Sequence, residues 1–277
     1  MVEAPRIRIL YEKVRFTKGR CISKIYGPSY NKMGVDLTGY TINKWWFAGK
    51  YIYLLLVAEN RSTYVIRTHT MMYGKIIVNE EVPVNPRLRS FLTIEMDDGT
   101  KLQWYLTQIR LLDPQCETDE IKSNYTICSS FKIINDSTKM MQYDISHESY
   151  NREATVKHIQ DNIDKLKDDN LTDFLLDQGY FPGVGNILQQ EALYRCRLLP
   201  TRLVREINQD EIDCLITALE EVIGTLYKSY LQQLHGLPRK PILQIYHKGR
   251  CPLDHKTTTR ILGKRKRRTT WCPICQK

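Results

Sequence analysis

Four residues near the C-terminal end have the types and spacing for metal chemistry. Cys251-x3-His255 is followed by sixteen residues and then by Cys272-x2-Cys275. Each short pair can offer two ligands from one tight turn, and the insert is long enough for a hairpin joining them, so the set suits a tetrahedral zinc ion. All four positions are filled by protein, which predicts a structural ion that folds a segment too small and too charged to build its own core. Two alternatives stay open here: a redox pair formed by Cys272 and Cys275, and Asp254 in place of its neighbour His255 as the second ligand. A second constellation is Gly183-Val184-Gly185-Asn186. Two glycines let a backbone approach an anion closely, and a helix start points free N–H groups at it. Plain capping is the competing reading, because Asn and Gly are favoured at helix starts in any case.

The charge points the same way. The chain has 277 residues and a net charge of +10. Residues 248–277 hold ten Lys or Arg and one Asp, so this tail carries +9 of that total. Such a tail is either a solvated or targeting segment or a contact for a polyanion, with nucleic acid first. No apolar run approaches the ~20 residues that span a bilayer. The chain begins Met1-Val2-Glu3-Ala4-Pro5. No basic n-region or apolar h-region opens it, so a location inside the cell with the genome is expected. In that compartment the eight cysteines are expected as free thiols or metal ligands rather than disulfides.

The elements that must hold these residues fall into two halves, as the length suggests. Residues 19–26, 51–57, 62–78 and 92–112 are rich in Ile, Val, Tyr and Thr and read as strands, with Asp98-Gly99 as a hairpin turn. A short helix over 5–14 precedes them. Beyond residue 150 the period changes: 150–166, 171–178, 185–196 and 210–234 read as helices, the last with Ile212, Leu215, Leu219, Val222 and Leu226 stepping by three and four. The expected division is a β-rich domain over 1–130, a linker over 131–149, a helical domain over 150–245 and a zinc hairpin over 246–277.

Four stretches together resemble the formamidopyrimidine-DNA glycosylase/endonuclease VIII (Fpg/Nei) family of base-excision repair enzymes. They are the Met1-Val2-Glu3-Ala4-Pro5 start, Gly49-Lys50 before a strand, Gly183-Val184-Gly185-Asn186-Ile187 with Glu191 behind, and Arg267-x-Thr269-x-x-Cys272-Pro273-x-Cys275-Gln276. Each is weak alone; their order and separation span the whole chain. The resemblance implies an α+β fold: an N-terminal two-layer β-sandwich with a short helix, then a helix–two-turn–helix domain and a zinc-binding β-hairpin.

It also implies a bifunctional glycosylase/apurinic-site lyase that removes oxidised bases, oxidised pyrimidines and hydantoins first. After loss of Met1, the Val2 amine would attack C1′ of the damaged nucleotide. An α-amine, with a pKa near 8 against about 10.4 for lysine, is far more often unprotonated at neutral pH. Most of the family has Pro at this position. A Val start is similar to that of the third vertebrate Nei-like glycosylase, which favours single-stranded DNA. Glu3 matches the catalytic carboxylate, Lys50 the lysine that contacts the target phosphate and supports catalysis, and Arg267 the hairpin arginine that grips phosphates. Asn186 is the expected phosphate ligand at the helix start. His69-x-x-Met72 resembles the loop whose apolar residue fills the gap left by an extruded base, the competing reading being a strand core holding Met71 and Met72. The Arg and Phe wedge of the formamidopyrimidine branch has no clear match, since Gln108-Ile109-Arg110-Leu111 has one Arg and no aromatic. Zinc is the one expected cofactor, DNA the expected partner and a monomer the expected state. Two rivals share these features: a non-catalytic protein that binds damaged or single-stranded DNA, and a zinc-hairpin nucleic-acid adaptor.

Overall fold

The computed structural model describes residues 2–80, 90–114, 121–122, 125–126, 130–238 and 243–277. They form two compact units. The first comprises Met1–Val2 and Ile7–Lys139, the second Glu3–Arg6 and Met140–Lys277.

The chain opens with helix α1 (Ala4–Val14). The first unit then continues as β1 (Ile22–Tyr26), β2 (Thr41–Ala48), β3 (Tyr51–Val57), β4 (Thr63–His69), β5 (Lys75–Val78), β6 (Ser90–Met96), β7 (Lys101–Tyr105) and β8 (Gln108–Leu112). A short pair, β9 (Ile121–Lys122) and β10 (Tyr125–Thr126), and helix α2 (Ser130–Met140) follow. The strands build two antiparallel four-stranded sheets, ordered β1-β6-β7-β5 and β2-β3-β4-β8. Alternate residues face inward from both, including Ile25, Leu92, Ile94 and Leu102 from one sheet and Ile42, Ile52, Leu54 and Ile66 from the other, and they form one core. Trp45 and Trp104 stack across it with ring centroids 6.5 Å apart. Their indole N–H groups are satisfied inside the core by Thr17 (2.9 Å) and Thr68 (3.1 Å).

The second unit holds α3 (Arg152–Gln160), α4 (Ile163–Leu166), α5 (Leu171–Leu175), α6 (Asn186–Arg195), α7 (Gln209–Leu234) and a hairpin of β11 (Thr258–Leu262) and β12 (Arg267–Trp271). Helices α5 and α6 are joined by two consecutive turns. The Phe181 amide closes one onto the Asp177 carbonyl (2.9 Å) and the Val184 amide the next onto the Phe181 carbonyl (3.1 Å). Asn208 caps α7, and the Glu211 carboxylate returns a bond to the Asn208 amide, a reciprocal capping box.

Four sequence expectations need correction. The run over 62–78 is two strands of different sheets, because the chain turns at 70–74, where a Cβ on Gly74 would lie 2.3 Å from the Thr70 carbonyl oxygen. Residues 41–48, not read as a strand, form β2. The helix over 150–166 breaks at Asp161-Asn162 into α3 and α4. Finally, Cys196 and Cys214 form a disulfide. Cys196 caps α6 and Cys214 lies on α7, and the packing of these two helices brings their Cα atoms to 5.9 Å. Cys116 and Cys128 lie outside the described residues.

Candidate active site and metal centre

Glu3 is 4% exposed and sits at the N-terminus of α6. Its two carboxylate oxygens accept the backbone N–H groups of Ile187 (2.7 Å) and Leu188 (3.1 Å). The N-cap of α6, Gly185, has no side chain to serve these donors, so a carboxylate 184 residues away in sequence does it. This changes the reading of the two glycines. A Cβ on Gly185 would lie 2.5 Å from a Glu3 oxygen, and one on Gly183 (φ +81°) would lie 2.4 Å from the Ala4 Cβ. Gly185 makes room for the Glu3 side chain and Gly183 for Ala4, whose amide also bonds to the Gly183 carbonyl (3.0 Å). The helix start expected to face a phosphate faces Glu3.

Asn186 is also buried. Its amide nitrogen donates to the Arg268 carbonyl on β12 (2.8 Å), and its Oδ1 has no partner among the described residues. Gln190, one turn along α6, grips the same strand at both amide atoms, donating to the Arg268 carbonyl (3.1 Å) and accepting the Thr270 amide (2.9 Å). The Glu191 carboxylate, fully buried, accepts the amides of Gln244, Ile245 and Tyr246 at 2.9–3.1 Å, in the segment leading into the hairpin. Asp173 of α5 accepts the Lys264 amide (2.7 Å) at the hairpin turn. The Gln276 side chain joins the Cys272 amide (2.8 Å) to the Leu198 carbonyl (2.9 Å). These side chains fix β12, so exposed Arg267 and Arg268 are presented from an immobilised strand. Sequence reasoning assigned no role to Asp173, Gln190, Glu191 or Gln276. For Gln190 a signal was present, its position four residues after Asn186 and so on the same helix face. Tyr246 was missed as well. Burial raises its phenol pKa and the Glu3 charge adds to that, against the Asn186 amide and the Arg268 charge, so at neutral pH it is a hydroxyl donor.

The ligand atoms of Cys251, His255, Cys272 and Cys275 all lie within 4.8 Å of one another. The Cys251 and Cys275 sulfurs are 3.9 Å apart, close to the ~3.8 Å edge of a tetrahedron with Zn–S bonds of about 2.3 Å. His255 presents Nδ1, 3.2 Å from the Cys275 sulfur. Asp254 turns instead to Arg250, at 3.2 Å, so His255 is the fourth donor. Burial acts to raise the Cys251 thiol, but the backbone amides of His255 and Leu253, with the Tyr194 hydroxyl and the neighbouring Cys272, outweigh it and bring it down to about 6. Burial and the neighbouring Cys272 and Cys251 push Cys275 up to about 11, a crowding of sulfur that a cation would relieve. The donor set fits a zinc ion.

In the first unit, Val2 is 6% exposed and packs into the sandwich core. Lys50 lies in the two-residue turn Gly49-Lys50 between β2 and β3, where Ala48 pairs with Tyr51 and Gly49 supplies a φ of +59°. His69 ends β4 opposite Tyr51. Burial first, then the charges of Lys50 and Arg67, lower its pKa. Met72 is 53% exposed at the turn after β4, beside exposed Met71 and Tyr73. The alternative in which Met71 and Met72 belong to a strand core is thus excluded.

Comparison with known proteins gives these placements their context. The formamidopyrimidine-DNA glycosylase H2TH domain model matches residues 145–228. An endonuclease 8-like protein of Acanthamoeba polyphaga mimivirus is 52% identical over 276 residues, with 100% of both chains covered. The chain belongs to the Fpg/Nei family of DNA glycosylases. A formamidopyrimidine-DNA glycosylase of Bacillus cereus is 27% identical over 254 residues, covering 87% of this chain and 82% of that one. Among solved structures, a viral DNA glycosylase superposes with a TM-score of 0.92 at 52% identity over the whole of both chains. The Lactococcus lactis Fpg bound to DNA containing an abasic site shares the fold, with a TM-score of 0.72 at 18% identity over 99% of both chains. The Fpg/Nei enzymes are DNA glycosylases and apurinic-site lyases of base excision repair, and the α+β fold of this chain is theirs.

Proposed function

We propose that this Fpg/Nei protein excises oxidised bases, oxidised pyrimidines and hydantoins first, and then cleaves the strand through a Schiff base on Val2. The observation that carries the reading is the Glu3 carboxylate held by the Ile187 and Leu188 amides, one peptide bond from the Val2 nitrogen. Removal of Met1 frees that nitrogen as a primary amine. Its lone pair attacks C1′ as the glycosidic bond breaks and the base departs with the electron pair. Attack leaves the nitrogen as an ammonium, which passes a proton to the Glu3 carboxylate; Glu3 hands that proton to the sugar ring oxygen, the ring opens, and an iminium forms between Val2 and C1′. Loss of a C2′ proton then expels the 3′ phosphate. A primary amine forms an iminium that can shed its N–H proton, which weakens the electron sink, so strand cleavage is slower than base removal.

Lys50 and Arg267 are assigned to the backbone phosphates, with Tyr246 as a neutral hydroxyl donor. Asn186, which holds β12 through the Arg268 carbonyl, is assigned to the phosphates with them. Zinc at Cys251, His255, Cys272 and Cys275 is structural and keeps β11 and β12 folded. Met72 fills the gap left by the base. Arg110 belongs to strand β8 rather than to a wedge loop, which supports action on single-stranded DNA, where there is no orphaned base to hold. The protein is assigned as a monomer acting where the genome is, with the catalytic β-domain over 1–130, a linker over 131–149, the helical domain over 150–245 and the hairpin over 246–277.

Borohydride trapping tests this. Protein confirmed to start at Val2 is mixed with single- and double-stranded DNA bearing an abasic site or an oxidised pyrimidine, then reduced. The expected result is a covalent adduct at Val2, absent when Met1 is retained, with more product from single strands. DNA binding without an adduct would replace this reading with that of a binding protein on the same scaffold. A strong preference for duplex would remove the single-strand assignment.

A further inference from the structure

The outer face of the β2-β3-β4-β8 sheet carries a set of polar groups that the proposed chemistry does not use. Register places them together. Tyr51 pairs with His69 and His69 with Gln108; two residues along, Tyr53 pairs with Arg67 and Arg67 with Arg110. Their neighbours Ile52, Ile66, Ile109 and Leu111 point into the core, so period-two alternation puts this set on the opposite face. Tyr51, Arg67, His69, Gln108 and Arg110 line a cavity of about 100 Å³. That volume is about three waters' share, enough for one tetrahedral oxyanion.

The chemistry of the lining is one-sided. Among the described residues it contains two arginines and no carboxylate. Like charges directly opposite each other across a ladder repel, and Arg67 faces Arg110 in that way. Arg67 is pinned, its guanidinium carbon 3.7 Å from the centre of the Tyr51 ring. Its Nε–H is buried without an acceptor among the described residues. The Met71 amide donates to His69 Nδ1 (3.1 Å), so the neutral ring carries its proton on Nε2 and offers a further donor. A pinned guanidinium, a second guanidinium beside it, an imidazole N–H and a carboxamide form a donor set that matches a phosphate.

We propose that Tyr51, Arg67, His69, Gln108 and Arg110 form an anion site for a DNA phosphodiester, one separate from the phosphates assigned to Lys50 and Arg267. The proposal rests on the reading of the protein as a DNA glycosylase. It assigns Arg110 and Arg67 to the strand flanking the lesion.

The test uses the full chain and a single-stranded oligonucleotide with an uncleavable abasic analogue. Each phosphate in turn is replaced by a neutral methylphosphonate and affinity is read by fluorescence anisotropy. One flanking position is expected to cost wild-type protein roughly three- to tenfold. In Arg110→Gln, an exposed site where folding is not at risk, that same replacement should cost under about twofold, and the salt slope should fall by about 0.7. Arg67→Lys, which keeps the charge and loses the fork, should blunt the same position. Losses that simply multiply, with no position coupled to Arg110, overturn the proposal. Inorganic phosphate is titrated in parallel while the His69 ring is followed by NMR. A response to phosphate with no coupled position identifies a free oxyanion as the ligand and overturns the DNA assignment. Borohydride trapping of wild-type protein separates the two levels: an adduct without coupling removes only this site, whereas no adduct removes the enzyme reading beneath it.

Discussion

The β11-β12 hairpin and the Met71–Tyr73 turn both present residues assigned to DNA, yet they are built in opposite ways. The hairpin is tied down by side chains from other elements: Asp173 on its turn, Asn186 and Gln190 on β12, Glu191 on its lead-in and Gln276 at its base. The turn is held locally, through the Gly74 amide on the Thr70 carbonyl (2.7 Å) and the Met71 amide on the His69 ring nitrogen, and its apolar side chains stand in solvent. A charge that must meet a phosphate gains from a fixed position, because its attraction falls off with distance and every freed rotamer costs entropy. An apolar side chain that enters a gap needs surface and adaptability instead, which methionine supplies.

The comparison can be broken most forcefully at the metal. Cys272→Ser, or chelation, should unfold the hairpin and abolish DNA binding, since structural zinc contributes on the order of 10 kcal/mol to folding such a segment. Metal content and anisotropy on the same sample check this. DNA binding retained without metal would mean that α5 and α6 hold the hairpin alone. Glu191→Ala comes next. It strands three amides, one buried and two part-buried, and should cost roughly 3–5 kcal/mol in denaturant unfolding, with the loss of DNA affinity following from a loosened lead-in.

Two milder changes separate position from stability. Arg267→Ala should leave the unfolding midpoint within about 0.5 kcal/mol of wild type, because the side chain is exposed, yet lower the salt slope by about one unit. Met72→Ala should also leave stability unchanged. It should slow excision on duplex more than on single strands, measured by base release under single-turnover conditions; equal slowing on both would deny it a gap-filling role. The smallest effect concerns His69. Its folded pKa lies below the unfolded value of about 6.5. The folded state therefore favours the neutral ring, and that stability is fully present above pH 6.5 and is lost as pH falls through the folded pKa. His69→Asn should flatten this part of the stability-versus-pH curve.

Much of this was legible in the residues. Metal-ligating residue types in two close pairs need only a turn each, so the gathering of His255 and the three cysteines was readable; only the choice between His255 and Asp254 waited for the pairing of Asp254 with Arg250. The stripe over 210–234 appeared as α7 because its helical period is local. The run over 62–78 misled for the opposite reason. β-propensity continues through the turn at 70–74, and nothing local says that β4 and β5 enter different sheets. The disulfide was likewise hidden, because 18 residues of sequence separation say nothing about how α6 packs on α7.

The sequence by itself determined the adjacency of Val2 and Glu3, the ligand spacing, the basic tail and the alternation of the strands, all properties carried by neighbours within a turn or a pleat. Only the tertiary structure decided that Glu3 caps α6, that Gly183 and Gly185 are small for the sake of Glu3 and Ala4, and that Arg67 faces Arg110. Those facts depend on which distant segments meet. That is decided by the burial of apolar faces over the whole chain and by the strand register this burial enforces, and neither can be read from any one stretch of residues.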